Sequence, residues 1–211
     1  QKWGKSVRTT IPVMAGYLVL GAGFGILLRT RGYGLGWALA MSAFIYAGSM
    51  QYVAIDLLTG GASLLTTAVT TLLVNARHLF YGISMLERYR AAGKYAPYLI
   101  FSLTDETYSL VAARENLTGA ECFRISLLDQ LYWVLGTALG SLAGAYLDFN
   151  TTGIDFSLTA LFLTVFTEQW LETKDHAPAL IGLGVSIVCR LLFGADSFLL
   201  PTMGGMLCCL L

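Results

Sequence analysis

Apolar residues run along this chain in long unbroken stretches, without the regular alternation of a half-wetted helix or strand. Charge-free windows extend from Thr9 to Leu28, from Gly32 to Ile55 and from Leu57 to Ala76, with a slightly shorter one from Gln130 to Leu147. A spanning helix needs about 20 such residues. Shorter apolar pieces follow near 95–104, 156–167, 176–189 and 197–211; these cross a bilayer only by absorbing neighbouring polar residues, and otherwise serve as half-helices. The pattern predicts segments over 11–29, 35–58, 62–86, 97–114, 125–147, 154–172, 178–193 and 196–211. Only helices and closed barrels satisfy the backbone in lipid, and the two-residue alternation of a barrel strand is absent. The expected fold is all-α. It is a polytopic membrane helix bundle of seven to eight segments, some broken or re-entrant, in a single domain over 1–211.

Composition agrees with that pattern. The mean hydropathy is +0.66 and charged residues make up 12%, about half of what a soluble domain carries. Thirteen basic residues balance thirteen acidic ones, so no net field attracts nucleic acid. The four cysteines (Cys122, Cys189, Cys208, Cys209) lack metal-site spacing and read as small packing side chains. The basic start, with Lys2, Lys5 and Arg8, reads as a cytoplasmic flank and not as a signal peptide. If every segment simply crosses, however, Arg88, Arg90 and Lys94 fall outside. One re-entrant or broken segment would remove that conflict with the positive-inside rule. A weak internal repeat also shows at an offset of 118–119 residues, pairing 9–95 with 125–211. Gly21–Gly25 falls on Gly140–Gly144, and Phe44, Gln51 and Tyr52 fall on Phe162, Gln169 and Trp170. Duplicated halves with broken helices are a transporter architecture.

Three polar clusters interrupt the apolar segments, and an ionisable group at such depth costs at least ~2.5 kcal/mol, so it usually serves a purpose. Gly48, Ser49 and Gln51 follow Phe44–Ala47 and combine a flexible backbone with a hydroxyl and an amide, or else pack as small residues. Asn75, Arg77 and His78 stand between Leu72–Leu73 and Leu79–Tyr81. An arginine there can clamp a carboxylate or act as a counter-ion for Asp56 or Glu168, and His78 is a candidate proton carrier. Thr104, Asp105, Glu106, Thr107 and Tyr108 form the third cluster, or else a loop between two shorter elements that leaves both carboxylates solvated. Adjacent helical residues diverge by about 100°, so the two carboxylates do not form one dyad. Asp129 and Glu168 fall near segment ends, where headgroup exposure is expected, and Arg190 and Asp196 are placed to pair across Gly194. The glycine stripe Gly136, Gly140 and Gly144 permits close approach of another helix, from this chain or from a partner.

No phosphate-binding loop, HExxH, nucleophile elbow or Cys/His metal set is present, so neither an enzyme, a cofactor nor a metal is expected. The runs FIYAGSMQYVAI (Phe44–Ile55), LLVNARHLFYGISM (Leu72–Met85), FSLTDETYSL (Phe101–Leu110) and GADSFLLPTMGGM (Gly194–Met206) resemble the AzlC family, the large subunit of bacterial branched-chain amino acid exporters. That resemblance implies export of leucine, isoleucine, valine and similar amino acids, a small AzlD-type membrane partner, and a multi-pass protein of the bacterial cytoplasmic (inner) membrane. A zwitterionic substrate needs a donor for its carboxylate, an acceptor for its ammonium and an apolar pocket. Gly48, Ser49, Gln51, Asn75, Arg77, Asp105 and Tyr108 are the expected substrate-binding residues, and His78, Asp105 and Glu106 the expected proton- or ion-coupling residues. The competing reading is a channel, or a structural membrane subunit whose partner carries the substrate path.

Overall fold

The computed structural model describes residues 2–114, 117–146 and 174–210, together with Phe156, Thr159, Ala160, Leu163, Phe166, Thr167, Trp170 and Leu171. Among the described residues every regular element is helical. Two helices are long enough to carry the molecule's axis: α1 (Lys2–Thr30) and α8 (Gly119–Tyr146). At 1.5 Å per residue, each exceeds the ~30 Å of a hydrocarbon core. They run parallel, since Tyr17 and Leu18 meet Gly136, Ala22 meets Gly140 and Ile26 meets Gly144. A Cβ at Gly140 would stand 2.0 Å from the Ala22 carbonyl oxygen, and one at Gly25 would stand 2.2 Å from that of Thr137. The glycine stripe is therefore used inside this chain, and α1 and α8 touch backbone to backbone. Tyr17, Phe24 and Trp133 pack at this seam; the Tyr17 and Trp133 rings meet edge to face at 5.4 Å.

Between these two helices the chain makes a hairpin from each end of the bundle. Helix α2 (Leu35–Phe44) starts beside the last turn of α1 and runs inward. Ser42 donates to Thr137 at 2.9 Å, and Gln130 donates to the Ala43 carbonyl at 3.1 Å. The chain then turns at Ile45–Ala47, where Tyr46 adopts φ 44°. Helix α3 (Gly48–Thr59) returns the way α2 came. Gly48 sits against the Trp133 ring, and Tyr52 donates to the Leu20 carbonyl at 2.7 Å, a turn further along α1. A tight loop with Gly61 at φ 62° leads into α4 (Leu64–Val74), capped by Ser63. After a break at Asn75–Ala76, α5 (Arg77–Ala91) continues to the opposite end, where Ala92 abuts Gly119. Helix α6 (Ala96–Phe101) enters from there, with Tyr95 and Tyr98 each 5.1 Å from the Phe123 ring. The helix stops at Ser102, and α7 (Asp105–Ala112) heads back. Thr107 bonds Asp129, and Arg88 donates to the Val111 carbonyl.

All three interruptions expected from the polar clusters exist, and two of the interrupted segments return to their starting side. The α2–α3 return resolves the charge conflict, and the α6–α7 return brings Arg114 to the same end. Arg88, Arg90, Lys94 and Arg114 gather at the end that holds Lys2, Lys5 and Arg8. The first break lies at Ile45–Ala47, so Gly48–Gln51 form the opening turn of α3 instead of an unwound stretch.

Helices α9 (Ala177–Ser197, kinked at Gly194 with φ 76°) and α10 (Leu199–Leu210) pack on one another through Gly205 and Val185. Arg190 lies 5.4 Å from the Phe198 ring. The side chain of Asp196, and Phe162, Glu168 and Gln169 entirely, lie outside the described residues. Leu64, Leu72, Leu79, Ile83 and Leu191 are all more than two-thirds exposed. So much bare apolar surface suits lipid or protein neighbours and not water.

Candidate functional site

Three helix breaks meet near the middle of the bundle and bring Ser49, Arg77 and Asp105 together. Arg77 opens α5, one residue after the break, and its Nη2 lies 2.9 Å from Asp105 Oδ2. The same nitrogen donates to Ser49 Oγ at 2.8 Å. Ser49 belongs to the first turn of α3, and Asp105 to the first turn of α7, so the guanidinium ties the two hairpins together. The pair's side chains are 33% and 32% exposed, open enough for a ligand to compete for them. Each also keeps one buried polar atom without a hydrogen-bond partner: Arg77 Nε, a donor, and Asp105 Oδ1, an acceptor.

Asn75 and His78, which flank Arg77 in sequence, help line a cavity of about 260 Å³ together with Tyr46, Ala47, Phe101 and Leu103 among others. Drug-sized pockets begin near 300 Å³, so this one suits a smaller molecule. Its wall is mostly apolar or aromatic, and Asn75 Oδ1 is buried there without a partner. His78 is on the same wall, with Nδ1 3.2 Å from the Asn75 carbonyl oxygen. Tyr108 stacks on Tyr81 at 4.5 Å and bonds Ser84, beside the site and not within it. Helix α3 starts at Ala47 without a side-chain cap, leaving first-turn N–H groups with no side-chain partner.

Two expected residues are placed elsewhere. Gln51 is fully buried: its Nε2 donates to Ser42 at 3.1 Å, and its Oε1 accepts from Trp133 Nε1 at 2.9 Å. Gly48 is held against the same Trp133 ring. Both fasten α3 to α8, and of this cluster it is Ser49 that meets Arg77. Glu106 points away from its neighbour Asp105 and accepts from the Tyr17 hydroxyl of α1 at 2.7 Å, as the 100° divergence requires.

Sequence reasoning placed Asp129 near the headgroups, but it is buried to 0% exposure and accepts from Thr107 at 3.0 Å. The missed signal is Thr118–Glu121, a capping box. Thr118 Oγ1 accepts from the Glu121 amide at 3.3 Å, and Glu121 accepts from the Thr118 amide at 3.0 Å. That box starts α8 at Gly119, six residues before the predicted segment 125–147, and so carries Asp129 inward. Thr104 and Thr107 belong to the third polar run, Thr104–Tyr108, whereas Tyr17 and Tyr46 carried no sequence signal that set them apart from packing residues.

The AzlC protein family model matches residues 12–147, from the first third of α1 to the end of α8, so it covers all three breaks. The chain belongs to the AzlC family. The "Branched-chain amino acid transport protein AzlC" of Bacillus subtilis (strain 168) is 46% identical over 92% of this chain and 78% of its own length. An "Uncharacterized membrane protein" of Helicobacter pylori (strain ATCC 700392 / 26695) is 44% identical over 90% of this chain and 86% of its own. The "Inner membrane protein YgaZ" of Escherichia coli (strain K12) is 27% identical over 83% and 77% respectively. No solved structure matches. As an AzlC-family membrane protein, the chain has its polar breaks inside the family region, and α9 and α10 lie beyond it.

Proposed function

We propose that this chain exports branched-chain and related hydrophobic amino acids across the bacterial cytoplasmic membrane by alternating access, together with a small AzlD-type membrane subunit. One observation carries the site assignment. Arg77 and Asp105 present opposite charges at one partly open point, and each retains an unpartnered polar atom. A zwitterion matches that pattern. Its carboxylate goes to Arg77, Ser49 and the uncapped start of α3, where fork geometry and helix dipole both favour an anion. Its ammonium goes to Asp105 and Asn75 Oδ1. Its side chain fills the wall formed by Ile45, Ile100, Phe101 and Leu103.

Ligand carboxylate and ligand ammonium then compete with the Arg77–Asp105 pair itself. Binding loosens the tie between the two hairpins and frees either to shift against the fixed α1–α8 pair. The name of the Bacillus subtilis relative supports the substrate class. The direction rests on the family resemblance. The positive-inside rule puts the end with Lys5, Arg88 and Lys94 in the cytoplasm. His78, Asp105 and Glu106 are the groups assigned to coupling.

The test is counterflow in liposomes holding the purified chain, with and without the small subunit, using labelled leucine and a competitor panel. Isoleucine and valine should compete, and charged amino acids should not. Absence of leucine accumulation in both preparations refutes the reading.

A further inference from the structure

Behind the Arg77 site lies a second polar assembly that the substrate reading does not use. It joins two carboxyl groups through three hydroxyls. Glu106 Oε2 is 2.7 Å from the Tyr17 hydroxyl, which is 2.7 Å from Thr104 Oγ1. Thr104 Oγ1 is 3.1 Å from Thr107 Oγ1, which is 3.0 Å from Asp129 Oδ2. Four oxygen–oxygen contacts thus lie between the carboxyls, each at hydrogen-bond distance.

A count of protons exposes a shortfall. Tyr17, Thr104 and Thr107 own one hydroxyl proton each. If both carboxyls are ionised, three protons serve four contacts, and one pair of buried oxygens faces lone pair to lone pair. One further proton, on either carboxyl, completes all four. The Thr107 amide also donates to Thr104 Oγ1 at 3.3 Å, which fills that oxygen's remaining lone pair in either arrangement.

We propose that Glu106 and Asp129 share a single proton, relayed by Tyr17, Thr104 and Thr107, and that these five residues form a proton-binding site of this protein. With the proton on Glu106, each group donates to the next in order until Thr107 donates to the Asp129 carboxylate. Moving four protons one oxygen along breaks four O–H bonds and forms four. Asp129 becomes the acid, Glu106 becomes the carboxylate, and no other bond changes. Glu106 is partly exposed and Asp129 fully sealed, so the proton enters at Glu106.

The titratable and charged groups facing the two carboxyls come from several elements. They are Tyr17 of α1, Tyr46 at the first hairpin's tip, Arg77 and Tyr81 of α5, Tyr98 of α6, and Asp105 beside Glu106. The basic one, Arg77, is bound to Asp105, so among the described residues neither Glu106 nor Asp129 has an ion-pair partner. The relay links α1, α7 and α8, so proton position is coupled to how the second hairpin seats on the fixed pair. As a coupling device it rests on the transport reading; as a proton site it does not.

Infrared spectroscopy of the reconstituted full chain at neutral pH reads the carbonyl stretch of protonated carboxyls. Wild type minus Glu106→Gln and wild type minus Asp129→Asn should each show loss of one such band of the same size. In both variants an amide N–H supplies the fourth proton, leaving the surviving carboxyl ionised. Asp105→Asn should keep the band. In the double variant one amide donates through its N–H and the other accepts through its oxygen, so the four contacts stay filled and no carboxyl band of this site should remain. Tyr17→Phe removes one oxygen, severs the relay and should shift the band. A missing band in wild type, a band that survives either single amide variant, or one unmoved by Tyr17→Phe overturns the proposal. Leucine counterflow in the same liposomes is the separate arm: its absence with the band pattern intact refutes transport and leaves the shared proton standing.

Discussion

Replacing Gly140 with alanine tests the backbone seam between α1 and α8 with the smallest available change. The added methyl would lie 2.0 Å from the Ala22 oxygen and 2.5 Å from its Cα. Carbon atoms rest about 3.5 Å apart or more, so the helices must separate by roughly 1 Å or bend. The obstructing atoms are backbone, and no rotamer change relieves them. Overpacking of this kind costs about 1–3 kcal/mol, sometimes more, against ~1 kcal/mol gained from alanine's better helix propensity. A net loss of about 1 kcal/mol is expected, or a melting point lower by roughly 2–4 °C for a chain of this size. The assay is thermal unfolding of the purified chain in mild detergent, followed by tryptophan fluorescence. An internal scale comes from Gly25→Ala (2.2 Å from backbone), Gly136→Ala (2.8 Å), Gly144→Ala (3.3 Å) and Gly16→Ala, which meets nothing within 4 Å. Melting points should rise in that order, with Gly16→Ala at or above wild type. A Gly140→Ala protein that melts with wild type would refute the close parallel packing.

Three further outcomes follow from the polar contacts. Arg77→Lys should abolish leucine counterflow as fully as Arg77→Ala, because a single ammonium has no planar fork to offer the ligand carboxylate beside the nitrogen held by Ser49 and Asp105; substantial activity in the lysine variant would remove the bidentate role. Gln51→Leu leaves the Trp133 N–H without its acceptor and Ser42 without the amide donor, an expected loss of about 1–3 kcal/mol. It should lower the melting point while leaving the leucine KM of the surviving protein unchanged. The Glu121 carboxyl is held below its ordinary value by hydrogen bonds from the Thr118 backbone and hydroxyl. Its contribution is therefore present above its unfolded-state value and lost as pH falls through the folded one, so Glu121→Gln should flatten the acid side of the stability profile.

The helical class and the three interruptions were legible because a charge or an amide set inside an apolar stretch is too costly to persist without a polar partner. Whether an interrupted segment crosses or returns was not legible. Hydropathy is blind to direction, and the answer lies in long-range packing such as Gly48 on Trp133 and Tyr98 on Gln130. Among the site residues, Ser49, Arg77 and Asp105 announced themselves by type. Gln51 looked equivalent to Ser49 two positions away, yet those two positions turn a helical side chain to nearly the opposite face. Tyr46, at φ 44°, had no glycine to mark its turn. Asp129 was hidden by judging a helix start from apolarity when the Thr118–Glu121 cap sets it.

The two hairpins that stop halfway also have an electrical consequence. In a bilayer, water that follows each hairpin inward from its own side brings the conducting phases close together at the tips, near Tyr46 and Phe101, whose rings lie 6.4 Å apart. The membrane voltage then falls across that thin septum instead of the full ~30 Å. On the transport reading, a proton carried past Arg77 crosses almost the whole potential in one short step, worth about 2.3 kcal/mol per 100 mV, while a zwitterion of zero net charge crosses it at no electrical cost.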